Sequence, residues 1–556
     1  MTKLQDGVAV GPTTVREASD AAAAAAQAVG TSSPSERAAW LRAVADALDR
    51  ERDELAAIAE EETALGMPRL TGEVGRTTGQ LRMFADVVLE GSYLEVVIDH
   101  AAPDATPPRP DLRRMLHALG PVAVFAASNF PFAFSVVGGD TASALAAGCP
   151  VIVKAHPGHP RTSRATGHLV VDALREAGAP NGIFTLIEGF EAGQELVTDP
   201  AITAVGFTGS LAGGRALFDL ATSRPDPIPF YGELGSLNPV VLSPGAVEAR
   251  ADELASGLAR SFTLGVGQFC TKPGVVLVPE GAGFEDALVA AIGEADRATM
   301  LHDGFAERFA EGLQRLAGEP DVEVLSGDLK TAVNAGAASP VVLATSAATL
   351  QEAAERLLEE CFGPTTLLVR YRGQGDLEAA LALFPGSLTA TIHAEPDEAE
   401  QLAPVVDRLT ALAGRVIHGG WPTGVAVTWS QPSARPTGRR CCTTGSLSAS
   451  PRGCKGSPAN RTSRCSPATR RRRSTQAQPP PWCWRRQRPR CRRPPSGSSR
   501  SASVRRRCWS ATAAKAIWRP RWRCSPAASR RRSTPNPTRP SSSLRWSTGS
   551  PRSPDA

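Results

Sequence analysis

The first 427 residues are poor in cysteine, and no part of the chain offers a long apolar run. Only Cys149, Cys270 and Cys361 occur there. They are too few and too scattered for a disulfide framework, which points to a reducing compartment. The opening MTKLQDGVAVGPTTVREASD has no basic segment leading into an apolar one, so it does not read as a signal peptide. The most apolar stretch, residues 120–139, is interrupted by Ser128, Asn129, Pro131 and Ser135, which excludes a membrane span. These absences predict a soluble, cytoplasmic protein without a membrane partner. Acidic residues are missing in a different way. Residues 428–556 carry 31 Lys+Arg and a single acid, Asp555, whereas residues 1–427 carry 30 Lys+Arg against 55 Asp+Glu. The net charge of +5 is therefore a near cancellation between two unlike segments.

What the first segment does contain is periodic. Residues 14–66 are Ala-rich at helical spacing, and Ser33-Pro34-Ser35-Glu36 predicts an N-cap with proline in the first turn. From Val122 the rhythm changes. Short apolar runs (Val122–Ala126, Val151–Val153, Gly182–Ile187, Ala204–Phe207) alternate with helical stretches (Thr141–Ala147, Ser163–Ala177, Ala212–Ala221). That alternation predicts βαβ units and a parallel, Rossmann-type sheet. A second α/β section is expected from Tyr231 to about Arg415, with strands at Pro239–Leu242 and Val275–Val278 and helices at Phe284–Ala295 and Ala348–Glu360.

Four segments carry chemistry. Glu233 opens ELGSLNP; GQFCTKPG follows with Cys270; ASNFPFAFS with Asn129 lies upstream, and LEECFGP with Glu360 downstream. Each is weak alone, but the ordered set resembles the aldehyde dehydrogenase superfamily across nearly all of residues 10–427. Within it, RTTGQLRMFADVV, RPDLRRM, GGDTASALAAGCPVIVKAHPGHP and GWPTGVAV look closest to the 2,5-dioxovalerate (α-ketoglutarate semialdehyde) dehydrogenase branch. The resemblance implies an α/β fold with a cofactor-binding domain at 1–230, a catalytic domain at 231–415 and, at 416–427, the start of a return segment.

It also implies roles. Cys270 would attack the aldehyde carbon, since thiolate is the soft nucleophile such a carbon needs. The Asn129 amide and the Cys270 N–H would hold the resulting oxyanion. Glu233 would activate the water that releases the acid. Cys149 and Cys361 read as packing residues. For the cofactor, Phe207, Thr208, Gly209, Ser210 and Gly213 end a strand and open a helix, where backbone N–H groups can approach a pyrophosphate. Lys154 and His156 match the adenosine side, Leu234 and Gly235 the turn after Glu233, and Glu360 with Phe362 the nicotinamide side. NAD or NADP is implied, and Pro157 stands where NAD-preferring relatives carry a glutamate, so NADP should be accepted. No metal is implied. The substrate would be a small aldehyde, with 2,5-dioxopentanoate oxidised to 2-oxoglutarate as the reading the branch favours; fatty or other semialdehydes are the alternative. Arg113 and Arg114 are candidates for a substrate carboxylate, but they read more readily as surface arginines. A homo-oligomer is implied as well.

The basic tail admits two readings. Arg470–Arg473, Arg505–Arg507 and Arg530–Arg532, interleaved with tryptophans, resemble a segment that binds nucleic acid non-specifically. The genetic code favours the other reading, an out-of-frame repeat of the DNA for residues 288–416. Tryptophan has one codon, TGG, so in the shifted frame each must yield a G-initial codon after a codon ending in TG. The seven tail tryptophans fall, 140 places earlier, on Val289, Val342, Ala344, Val369, Glu378, Ala382 and Val406, each preceded by Leu or Val. All seven satisfy the rule. Ser474–Arg485 can likewise encode Asn334–Thr345. Such a tail, without apolar periodicity, is expected to be disordered and to leave the oligomer interface and the activity of this chain compromised.

Overall fold

The computed structural model describes residues 14–293 and 297–422. The segment read as an out-of-frame tail lies outside the described residues. At the start, α1 (Val15–Gly30), α2 (Pro34–Arg50), α3 (Arg52–Thr63) and α4 (Met67–Glu90) follow one another. Thr14 and Ser33 close capping boxes with Glu17 and Glu36, satisfying the first free N–H groups of α1 and α2. Leu41, Leu48, Leu55, Leu70 and Leu81 are fully buried where α2, α3 and α4 meet. Each is worth about 1.5–3 kcal/mol of transfer free energy. Then β1 (Val97–Asp99) and β2 (Leu112–Arg114) pair antiparallel as an exposed two-stranded ribbon.

The expected βαβ rhythm follows: β3 (Val122–Phe125), α5 (Gly139–Ala147), β4 (Val151–Lys154), α6 (Pro160–Glu176), β5 (Phe184–Ile187), α7 (Phe190–Thr198), β6 (Ala204–Gly209), α8 (Leu211–Ser223) and β7 (Phe230–Leu234). These strands form one parallel sheet ordered β5-β4-β3-β6-β7. The chain winds outward from β3 through β4 to β5, then returns to the other side of β3. That reversal opens a crevice at the carboxyl ends of β3 and β6, the usual ligand position in such sheets. The sheet extends through β7 to Leu234, a few residues beyond residue 230.

Past Gly235–Pro239 a second sheet begins. Its elements are β8 (Val240–Leu242), α9 (Pro244–Thr263), β9 (Val275–Pro279), α10 (Phe284–Ile292), β10 (Ala298–Thr299), α11 (Asp303–Ala317), β11 (Glu323–Ser326), β12 (Val333–Asn334), β13 (Ala337–Ala338), β14 (Val341–Ser346), α12 (Ala347–Glu352), α13 (Ala354–Leu357), β15 (Thr365–Tyr371), α14 (Gln374–Leu383), β16 (Ser387–His393), α15 (Ala403–Leu412) and β17 (Ala413–His418). The order is β11-β14-β15-β9-β8-β16-β17, with only β11 antiparallel, while β10, β12 and β13 make a small side sheet. Two expectations need correction. The helix expected over Ala348–Glu360 is two short ones, broken at Ala353, and Glu360 lies beyond both. The helix expected to reach Ala295 ends at Ile292, capped by Gly293. Cys149 and Cys361 are buried in the two main cores, as expected of packing residues. Among the described residues no helix is long and apolar enough to cross a membrane.

Candidate active site

The two sheets supply the site from opposite strand ends. Asn129 follows β3, Lys154 ends β4, Gly209 ends β6 and Glu233 lies in the last turn of β7, all at carboxyl ends of the first sheet. Gly235–Asn238, Cys270 and Glu360 precede β8, β9 and β15, adjacent strands of the second sheet. Three motifs far apart in sequence are thereby neighbours.

Cys270 sits at the end of a constrained loop. Gly265, Val266 and Gly267 all have positive φ, at 56°, 58° and 65°. For a β-branched valine that conformation costs on the order of 1–3 kcal/mol and needs surrounding contacts to hold it. Those contacts are visible. The Gln268 side chain accepts the Leu301 N–H at 2.9 Å, and the Gln268 carbonyl accepts from Asn129 Nδ2 at 3.1 Å. Arg69 Nη2 donates to the Asn129 carbonyl at 2.6 Å. A Cβ on Gly267 would stand 2.2 Å from the Gly363 backbone, so the nucleophile loop lies flat against the segment after Glu360. Gly267→Ala is expected to cost about 1–3 kcal/mol in a thermal or denaturant melt, because neither backbone can retreat into a rotamer change.

The electrostatics favour a protonated thiol. Burial pushes the Cys270 thiol up to about 12, and the Glu233 and Glu360 charges add to the effect. The Glu233 carboxyl faces the thiol; it is raised by burial, lowered by its interaction with Cys270 and raised again by Asp140. Glu360 is raised by burial, against which the Lys272 charge and the Ser236 N–H favour its ionised form. A Cβ on Gly235, at φ 55°, would lie 3.0 Å from Glu360 Oε2, which puts that carboxylate against the turn after Glu233.

The other expected cofactor residues spread along the crevice. Gly209 and Ser210 are exposed, and Ser210 caps α8 by accepting the Gly213 N–H at 3.2 Å. A Cβ on Gly209 would meet the Phe207 ring at 2.8 Å, so only glycine leaves the backbone open there. The Phe207 ring itself packs against Phe125 and Phe230, and Leu234 covers Gly214 of α8. Thr208 pairs with Glu233 across β6 and β7. Burial lowers the half-buried Lys154 ammonium, with Glu188 opposing. Burial takes His156 down to about 3; its ring lies beside His159 and His302, and Nδ1 accepts the Gly158 N–H. Phe362 stacks near Phe305. Phe190 and Leu211, 80% and 59% exposed, are large apolar side chains at the first positions of α7 and α8. Exposed backbone at a helix start, apolar side chains on the same sheet edge and an acid at Gly235 suit a dinucleotide. Among the described residues no cluster of three or more metal-ligating side chains occurs.

Two arginines at the site have no assigned role in the sequence reading. Arg69 and Arg76 on α4 lie over the Phe130 ring, Arg69 also over Phe269 and Arg76 over Phe134. Arg69 Nη1 and Arg76 Nη2 are buried without a hydrogen-bond partner. Burial lowers both guanidinium groups, with Glu73 opposing, and Arg76 couples to the Cys270 charge. Glu73 instead holds the Phe132 and Ala133 N–H groups, at 2.9 and 3.0 Å. The spacing of 69, 73 and 76 is that of one helix face, a signal legible in the sequence. Arg113 and Arg114 are exposed on β2, where Arg113 pairs with Asp111.

Comparison with known proteins gives a consistent result. A family model described as the aldehyde dehydrogenase family matches residues 3–404. Alpha-ketoglutaric semialdehyde dehydrogenase 2 of Azospirillum brasilense is 46% identical over 400 residues, covering 70% of this chain and 75% of the relative. The alpha-ketoglutaric semialdehyde dehydrogenase of Acinetobacter baylyi is 40% identical over 398 residues, covering 71% and 75%. An NADP-dependent glyceraldehyde-3-phosphate dehydrogenase from Bacillus halodurans, solved with NADP, superposes with a TM-score of 0.60 at 21% identity, over 73% of this chain and 83% of that one. At that identity the likeness is one of fold.

Proposed function

The chain belongs to the aldehyde dehydrogenase family, and from that premise we propose that it oxidises a carboxylate-bearing semialdehyde, 2,5-dioxopentanoate, to the dicarboxylic acid. Cys270 is the nucleophile: its thiol proton passes to solvent water, the thiolate sulfur bonds the aldehyde carbon, and the carbonyl electrons move to oxygen. Asn129 spends one N–H on Gln268, which leaves its second for that oxyanion together with the Cys270 N–H. Gly209, Ser210, Gly213, Lys154 and Glu360 would hold a dinucleotide, which when bound would accept hydride from the former aldehyde carbon; the acyl group then stays on Cys270 as a thioester. Glu233 then takes a proton from water, whose oxygen bonds the acyl carbon as the C–S bond breaks. The acid leaves and the thiolate is restored. Pro157 puts no carboxylate where a 2′-phosphate would be repelled, so NADP is accepted alongside NAD.

The observation that supports the substrate class is the pair Arg69 and Arg76. Two guanidinium groups beside the nucleophile each keep a buried nitrogen without a hydrogen-bond partner, and Glu73, the acid whose charge acts on both, turns one oxygen to the Phe132 and Ala133 N–H groups instead. A substrate carboxylate provides it, and the two similar relatives carry names of that chemistry. Arg76→Leu should raise KM for 2,5-dioxopentanoate about 10- to 100-fold, the range for a lost charged hydrogen bond. Turnover of a neutral aldehyde of equal length should stay within the assay's scatter. Equal losses on both substrates would remove the carboxylate role. A panel of semialdehydes and alkanals with both cofactors tests the wider assignment.

A further inference from the structure

Lys272 follows the nucleophile by two residues, is 3% exposed, and has no part in the reaction as described. A buried ammonium is costly unless its donors and charge are answered. Its Nζ donates to the Cys361 carbonyl at 2.8 Å and to the Thr365 carbonyl at 2.9 Å, the two ends of the segment that follows Glu360. Burial lowers the Lys272 ammonium, with Cys361 and Glu360 opposing, and the Lys272 charge in turn favours the ionised form of Glu360. The cavity between them, lined by Ser236, Lys272, Glu360, Cys361 and Thr365, holds about 10 Å³. That is room for no more than about one water, so no ligand reaches the ammonium and any effect of it passes through its neighbours.

The same knot fixes the other motif. Asn238, at φ 48°, donates through Nδ2 to the Cys270 carbonyl at 2.8 Å and the Lys272 carbonyl at 2.9 Å. Its Oδ1 accepts from Ser236 Oγ at 2.7 Å and from the Thr389 N–H at 3.2 Å. The turn after Glu233, the nucleophile loop and the Glu360 segment are thus tied behind the site by one set of buried polar groups. We propose that Lys272 is a positioning residue: through Cys361, Thr365 and its charge it holds Glu360 in the inward position that grips the cofactor. This rests on the reading that Glu360 faces the cofactor.

The test is a double-mutant cycle on the full chain, with NADP and NAD affinity read by calorimetry and folding by melting temperature. Lys272→Met should raise the cofactor Kd about tenfold, the size of one lost charged contact. In a Glu360→Gln background the same change should leave Kd nearly unmoved, because the group it acts through is already neutral. Lys272→Gln, which keeps N–H donors but no charge, carries the same test if the methionine variant fails to fold. A lowered melting temperature with unchanged Kd overturns the proposal, as does an equal effect in both backgrounds. If Glu360→Gln alone leaves Kd unmoved, the cofactor contact of Glu360 fails and this proposal with it. If Glu360→Gln weakens binding while both Lys272 variants do not, only the role of Lys272 falls.

Discussion

Replacing Cys270 by alanine is expected to abolish aldehyde oxidation, with kcat falling about 10⁴-fold or more while cofactor binding is retained. Among the described residues no other thiol can take its place. Cys149 and Cys361 are both buried, and Cys361 is held at about 11 by burial, with its sulfur turned toward the Phe309 carbonyl in the catalytic-sheet core. The loss should appear in the acylation burst as well as in steady state, since no thioester forms. Pre-steady-state reduction of NADP followed at a single wavelength reads both. A burst of normal amplitude in Cys270→Ala would mean that another group carries the acyl chain.

The second large effect has two signs. Burial, with the Glu233 and Glu360 charges adding to it, keeps the Cys270 thiol protonated near neutral pH. Glu233→Gln removes one of those charges. The Cys270 thiol should then titrate at lower pH than the parent's, and alkylation by iodoacetamide at pH 8 should become faster. Deacylation should move the other way, slowing about 10²- to 10⁴-fold for want of a base, with thioester accumulating on the enzyme. Intact mass spectrometry during turnover would detect that adduct. Slower alkylation in the variant would instead make Glu233 the base for Cys270 itself. Unchanged deacylation would transfer the water-activating role elsewhere, with Asp140, whose charge acts on Glu233, as a candidate.

Much of this site could be read along the chain because family chemistry constrains short motifs. Cys270 in GQFCTKPG, Glu233 in ELGSLNP, Asn129 and Glu360 each stand where the ordered motifs place them, and the structure brings all four to one crevice. The βαβ rhythm from Val122 was legible too, since buried parallel strands are short apolar runs between amphipathic helices. The Ala348–Glu360 helix was not. Its composition is helical, yet the chain must turn to set Glu360 against Gly235 and Cys361 into the core, and that packing breaks the helix at Ala353.

Sequence alone determined the reaction family and put forward candidates for its reacting groups, and it separated the acidic first segment from the basic remainder. Only tertiary structure decided what surrounds those groups. Whether an arginine lines a pocket or faces solvent depends on which helix face meets which loop. Arg69 and Arg76 are turned onto Phe130 beside the nucleophile, whereas Arg113 and Arg114 lie in the open on β2. Lys272 reads as one more charged residue near a cysteine until β9 and β15 are laid side by side. Then its ammonium is buried against the Cys361 and Thr365 carbonyls, where a donor shut away from water must find protein partners.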